Sequence, residues 1–164
     1  MNQTVYVCRV RAAEGTREYV TVLSPEDVFA RGLPGVAIVG ALLRPLAEGE
    51  DASPDVFTPN PAFVRFMHDV LATHTPLVDS FREEARRQGQ GWVYVIDART
   101  PDPAGTVPPE DVFGAVEVKE GEPVAGSYRA NPGHQLLTAH GFFRLGEELH
   151  ACLLAEVEAL RSGA

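Results

Sequence analysis

Pro25-Glu26-Asp27-Val28-Phe29 returns, letter for letter, as Pro109-Glu110-Asp111-Val112-Phe113. Other shared letters surround both copies in the same order. Tyr19-Val20 precedes the first copy and Tyr94-Val95 the second. Gly40-Ala41 follows the first and Gly114-Ala115 the second, and Asn60-Pro61 is matched later by Asn131-Pro132. In chain order the offsets are 75, 84, 74 and 71 residues. Pairs in constant order with drifting spacing predict one supersecondary unit used twice, with insertions in its loops. The expected half-repeats run over about 1–88 and 91–164, divided at Gln88-Gly89-Gln90-Gly91. Half of this chain buries too little surface to fold alone, so the expectation is one compact domain over 1–164.

The elements follow from periodicity and punctuation. Residues 5–10 are apolar on both faces, which predicts a central strand. Glu14-Gly15 turns it into a second strand through Tyr19, Val20, Val22 and Leu23. Ser24 caps a short helix with Pro25 at its first position and Glu26 and Asp27 at the positive end of its dipole. Gly32-Leu33-Pro34-Gly35 ends it, and the apolar run 36–43 reads as a buried strand.

Asn60-Pro61 opens a helix over 61–72, and Thr75-Pro76 opens another with Leu77, Phe81 and Ala85 on one face. Trp92 to Ile96 is a strand. Residues 100–109 are a proline-rich irregular loop. Residues 112–118 form a strand that turns at Lys119-Glu120-Gly121-Glu122 into Val124–Tyr128. A last helix over about 146–161 carries Leu149, Leu153, Val157 and Leu160. The fold class read from this pattern is α+β: a mainly antiparallel sheet with helices packed on it, built from two diverged copies of a strand–turn–strand–helix unit. Val7, Val22, Ile38, Val39, Phe66, Val70, Phe81, Val95, Val116, Leu149, Leu153 and Val157 are the expected core.

With a net charge of -9, the chain is a poor match for nucleic acid, which needs clustered Lys and Arg. The charge favours solubility and a basic partner. No stretch approaches a membrane-spanning length. The start lacks a basic segment followed by an apolar run, and the two distant cysteines, Cys8 and Cys152, make no disulfide framework. A cytoplasmic location with free thiols is the expectation.

The chemistry-bearing residues give no catalytic or metal site. Glu26-Asp27 and Glu110-Asp111 read as complements of helix N-termini rather than as acid/base pairs. His68, His74, His134, His140 and His150 match no zinc spacing. Cys152 sits among apolar neighbours without a base. Nucleophile-elbow, Walker and dinucleotide glycine patterns do not occur.

Residues 33–41, Leu33-Pro34-Gly35-Val36-Ala37-Ile38-Val39-Gly40-Ala41, with Val56-Phe57-Thr58-Pro59-Asn60-Pro61, resemble the last strands of bacterial ADP-ribosyltransferase toxin domains. Gly114-Ala115 with Tyr128-Arg129-Ala130-Asn131-Pro132 looks similar. The resemblance implies a diverged NAD-using enzyme. The chain departs from the family in having no Ser-Thr-Ser strand. Glu120-Gly121-Glu122 has the family's acidic spacing but falls in a hairpin turn, so no catalytic role carries over.

Two function classes stand. One is a non-catalytic acidic protein-binding module without cofactor, of the immunity type that neutralises a basic toxin. Its partner-binding candidates are Glu48, Glu50, Asp51, Asp55, Glu120 and Glu122. The other is the NAD-using enzyme.

Overall fold

The computed structural model describes residues 5–100 and 106–163. Its helices and antiparallel sheets make an α+β fold. The chain divides into two compact units. Unit 1 comprises residues up to Phe66, Leu136–Phe142 and the chain from Val157; unit 2 comprises Met67–Gln135 and Phe143–Glu156. Residues 67–88, assigned above to the first half, therefore belong with the second.

Unit 1 is built on β1 (Tyr6–Ala12), β2 (Gly15–Thr21), β3 (Ile38–Leu42) and β4 (Phe57–Pro59), paired in that order. The first strand is thus the outer one, not a central one. Its side chains explain why: Val7 is 44% exposed, and Arg9 reaches across to Glu18 on β2 at 2.7 Å. Between β2 and β3 lies α1 (Pro25–Arg31), whose Ser24 hydroxyl accepts from the Asp27 amide at 3.2 Å. Asp27 also meets Arg31 and Arg161, and Gly32, at φ 85°, ends the helix. Replacing Ser24 with alanine is expected to cost about 1 kcal/mol through the lost cap. Urea denaturation reads this directly, and an unchanged midpoint would show that Ser24 caps nothing.

After β4, α2 (Pro61–His74) begins, with Phe63, Met67, Val70 and Leu71 on its buried stripe. In unit 2, a 3-10 turn at Thr75–Leu77 precedes α3 (Asp79–Gln88), so Leu77 falls outside the helix and is exposed. Phe81 and Ala85 carry the buried face of α3. Its Gln88 side chain donates to the Trp92 carbonyl at 3.0 Å, which ties α3 to the strand that follows.

The sheet of unit 2 runs β5 (Gly91–Ile96), β6 (Val112–Lys119), β7 (Glu122–Pro123), and β8 (Arg129–Ala130) also pairs with β6. The strand expected over 124–128 is absent. Gly126 has φ 75°, and the Ser127 hydroxyl donates to the Val124 carbonyl and accepts from the Glu117 amide, replacing a ladder with a turn. The short ribbon β9 (Leu137–Thr138) and β10 (Gly141–Phe142) belongs to unit 1, where Phe142 meets Phe57 edge-on at 5.5 Å. The last helix, α4 (Glu147–Arg161), buries Leu149, Leu153 and Val157. Of the expected core, Val22, Val39, Val70, Phe81, Val95 and Val116 are buried with these three; Ile38 and Phe66 are half-buried.

Candidate functional site

The two units contain the same local lock. In unit 1, Val20 stands opposite Gly40 and Thr21 opposite Ile38, with a register shift between them. In unit 2, Val95 stands opposite Gly114 and Ile96 opposite Val112, with the same shift. Gly40 lies against the Phe57 ring and the Thr58 carbonyl; Gly114 lies against the Tyr128 ring and the Arg129 carbonyl. The Asn60 side chain donates to the Gly35 and Ile38 carbonyls at 3.2 and 2.8 Å. That of Asn131 donates to the Pro109 and Val112 carbonyls, each at 2.8 Å. Both Asn oxygens then accept the amide two residues on, at Ala62 and Gly133. A small residue lets a third strand close in, and an amide side chain satisfies the turn carbonyls that this leaves exposed.

The repeated five-letter word is not part of this lock. Pro25 to Phe29 lies within helix α1, whereas Pro109–Asp111 is a 3-10 turn and Val112-Phe113 opens β6. In hydrogen bonding, Pro109-Glu110-Asp111 matches instead the 3-10 turn Gly35–Ala37: the Val22 amide donates to the Ala37 carbonyl as the Asp97 amide does to the Asp111 carbonyl. The expectation that Glu110-Asp111 complements a helix N-terminus is corrected accordingly: Asp111 is buried and ion-paired.

Aligned on the lock, four apolar positions of unit 1 are polar in unit 2. Val22 corresponds to Asp97, Ala37 to Asp111, Phe57 to Tyr128 and Phe63 to His134. Asp97, Asp111 and His134 join one buried network through Arg99, and Tyr128 pairs separately with His68. Asp97 has no exposed surface; its carboxylate accepts from the amides of Arg99 and Arg144 at 3.0 and 2.9 Å and from His134 Nε2 at 2.9 Å. A carboxylate only accepts, so Nε2 carries the proton in that bond.

The Arg99 guanidinium, 4% exposed, lies 2.8 Å from Asp111 and 3.5 Å from Asp97, and donates to the Glu110 and Gln135 carbonyls. Thr100 donates to the other Asp111 oxygen at 2.7 Å. The His134 ring stacks on Phe113 with centroids 4.3 Å apart. Beside it, His68 Nδ1 and the Tyr128 hydroxyl are 2.8 Å apart. Burial, reinforced by nearby His134, holds the His68 pKa below its usual value, and burial pushes the Tyr128 phenol up. Both groups therefore stay neutral at neutral pH. The network pins residues 97–100 and 134–135 to the start of β6. Its carboxylates already accept hydrogen bonds within the fold, so neither stands as a free acid or base.

The sequence-named acids are scattered by role. Glu50 pairs with Arg44 at 2.7 Å and accepts the Ala47 amide, and the Arg44 pairing brings its pKa down to about 2. Asp55 accepts from the Ser53 hydroxyl, which lowers its pKa. Glu48 and Asp51 are exposed in unit 1. Glu120 and Glu122 are exposed in unit 2, flanking the turn at Gly121, with Glu120 at φ 52°. Cys8 and Cys152 are free and half-buried. Among the described residues, no His, Cys, Asp and Glu side chains gather in a group able to hold a metal ion.

The outward face of β5 was missed by the sequence reading as anything but a strand. Trp92 is 38% exposed and Tyr94 63% exposed, and the Arg129 guanidinium sits 5.1 Å above the Trp92 ring. Their alternation with buried Val93 and Val95 was the available signal, because an apolar strand with one solvated face should carry polar residues there. Beside this face, α3 and β5 with Gly146 and Leu149 enclose a groove of about 640 Å³. No helix among the described residues is long and apolar enough to cross a membrane. No protein-family model, curated protein or solved structure matches the chain.

Proposed function

We propose that the chain is a non-catalytic protein-binding module built from two diverged copies of one unit, with a basic protein as its partner. The observation that carries this reading is the exposed Trp92–Arg129 pair with Tyr94 on the same face of β5. Trp, Tyr and Arg are the residues over-represented where binding energy concentrates. The duplication gives the reading its logic: unit 1 keeps apolar residues where unit 2 has a buried polar network, so unit 2 carries the specialised surface. The net charge of -9 supports a basic partner, which would be steered in by Glu48, Asp51, Glu120 and Glu122. Glu50 and Asp55, already bonded within unit 1, contribute less. An immunity-type role toward a basic toxin is the form of this module with the best match to its charge.

The resemblance to ADP-ribosyltransferase domains rests on Gly-Ala and Asn-Pro letters that serve, in both units, as the packing lock. For a protein partner obtained by affinity capture, Trp92→Ala with Arg129→Ala should raise Kd by roughly tenfold or more. Association should slow as salt rises while dissociation changes little. Incubation with NAD provides the opposing test. Nicotinamide release that disappears on substituting Glu120 or Glu122 would overturn the binding-module reading in favour of the NAD-using enzyme.

A further inference from the structure

We infer that the free edge of β5 takes an extended strand from the partner, antiparallel to β5 and alternating apolar with basic residues. This inference rests on the protein-binding reading and names how the partner is held. β5 corresponds to β2, β6 to β3 and β8 to β4. In unit 1 the outer edge of β2 is filled by β1, antiparallel over its whole length. Among the described residues, β5 pairs with β6 alone, so the corresponding edge in unit 2 is open.

The two outer strands are defended differently. β1 carries Arg9 and Arg11, the charges that keep an exposed edge from pairing with another chain. β5 reads Gly-Trp-Val-Tyr-Val-Ile, with no charge and no proline. Such an edge is a template for strand addition.

The backbone is aimed for it. The Trp92 carbonyl points away from β6, since it accepts from Gln88 of α3. Amide and carbonyl of one antiparallel-strand residue point to the same side, and the side alternates. The amide and carbonyl of Tyr94 therefore also face outward, at the lip of the groove lined by Phe81, Glu84 and Leu149. A strand there lays alternate side chains against Phe81 and Leu149. Its other side chains lie along Trp92 and Tyr94, where a basic residue finds an aromatic face as Arg129 already does.

The test uses the full chain, a short capped peptide alternating valine and arginine, and the same peptide N-methylated on alternate residues. Expected is slowed hydrogen exchange at the Tyr94 amide with the plain peptide and none with the methylated one. Tyr94→Pro removes the outward amide at a position where an edge strand tolerates proline. It should keep the far-ultraviolet circular dichroism of the wild type and weaken peptide binding by roughly tenfold or more. Absence of Tyr94 protection in the wild type overturns strand addition. If the captured partner still binds Tyr94→Pro but not Trp92→Ala, strand addition fails while the protein-binding reading stands. Peptide-free self-association abolished by Tyr94→Pro would assign the edge to a second copy of the chain and overturn the partner assignment.

Discussion

Asp97→Ala is expected to lower stability by about 3–5 kcal/mol, the range for removing one member of a buried ion pair. The carboxylate receives two backbone amides and the His134 ring, and it neighbours the Arg99 guanidinium. The His134 ring and the Arg99 guanidinium cannot turn to water, because both are nearly unexposed. Domains of this size have roughly 5–15 kcal/mol in total, so the variant should sit near its unfolding threshold in urea. The double change Asp97→Val with His134→Phe installs the residues that unit 1 uses at these positions. It should cost less than the sum of the two single changes, because no ring is left facing an absent carboxylate. Wild-type stability in Asp97→Ala would show that water reaches this carboxylate in the folded state.

What the sequence revealed, and what it hid, divides by the range of the interaction. Capping, turn chemistry and apolar periodicity act within a few residues, and they placed α1, α2, α4 and the strands β2, β3, β5 and β6. The Tyr-Val, Gly-Ala and Asn-Pro pairs fall at matching places of the two sheets. The longest shared word misled, and its offset of 84 residues, against 71 to 75 for the other pairs, was the warning. Five identical letters fold differently because their neighbours do. Ser24 offers a cap before Pro25, and Arg31-Gly32 closes a helix after it. Val112-Phe113 instead continues into Gly114-Ala115-Val116, an apolar strand that pairs with β5.

The buried network was invisible for a different reason. Asp97, Arg99, Asp111 and His134 are ordinary polar residues until the register is known. Alignment on the lock rather than on the longer word would have set Asp97 over Val22 and His134 over Phe63, and so exposed polar residues at core positions. The open edge of β5 was equally hidden, since which strand lies outermost depends on pairings that no local pattern encodes.

Gly114→Ala tests the lock itself and is expected to destabilise by about 1–3 kcal/mol or more, as overpacking does. A Cβ at residue 114 would stand 2.8 Å from the Tyr128 ring and overlap the Arg129 carbonyl of β8. The carbonyl belongs to a paired strand, so β8 must shift and the ring must give way with it. That ring is tied through its hydroxyl to His68 Nδ1 at 2.8 Å, and moving it opens His68 to water. In the wild type, burial keeps the folded-state pKa of His68 below that of the unfolded chain. The unfolded state then binds more protons as pH falls below about 6.5, so stability drops through that window. Gly114→Ala should return the His68 pKa toward its ordinary value, read by the ring proton shifts in a nuclear magnetic resonance titration, and should flatten this part of the stability–pH curve. Gly146→Ala is the steric control: nothing lies within 4 Å of a Cβ there, so no overpacking and no change in the His68 titration are expected. A Gly114→Ala protein as stable as the wild type, with an unshifted His68 titration, would mean that β8 does not close on β6 as described.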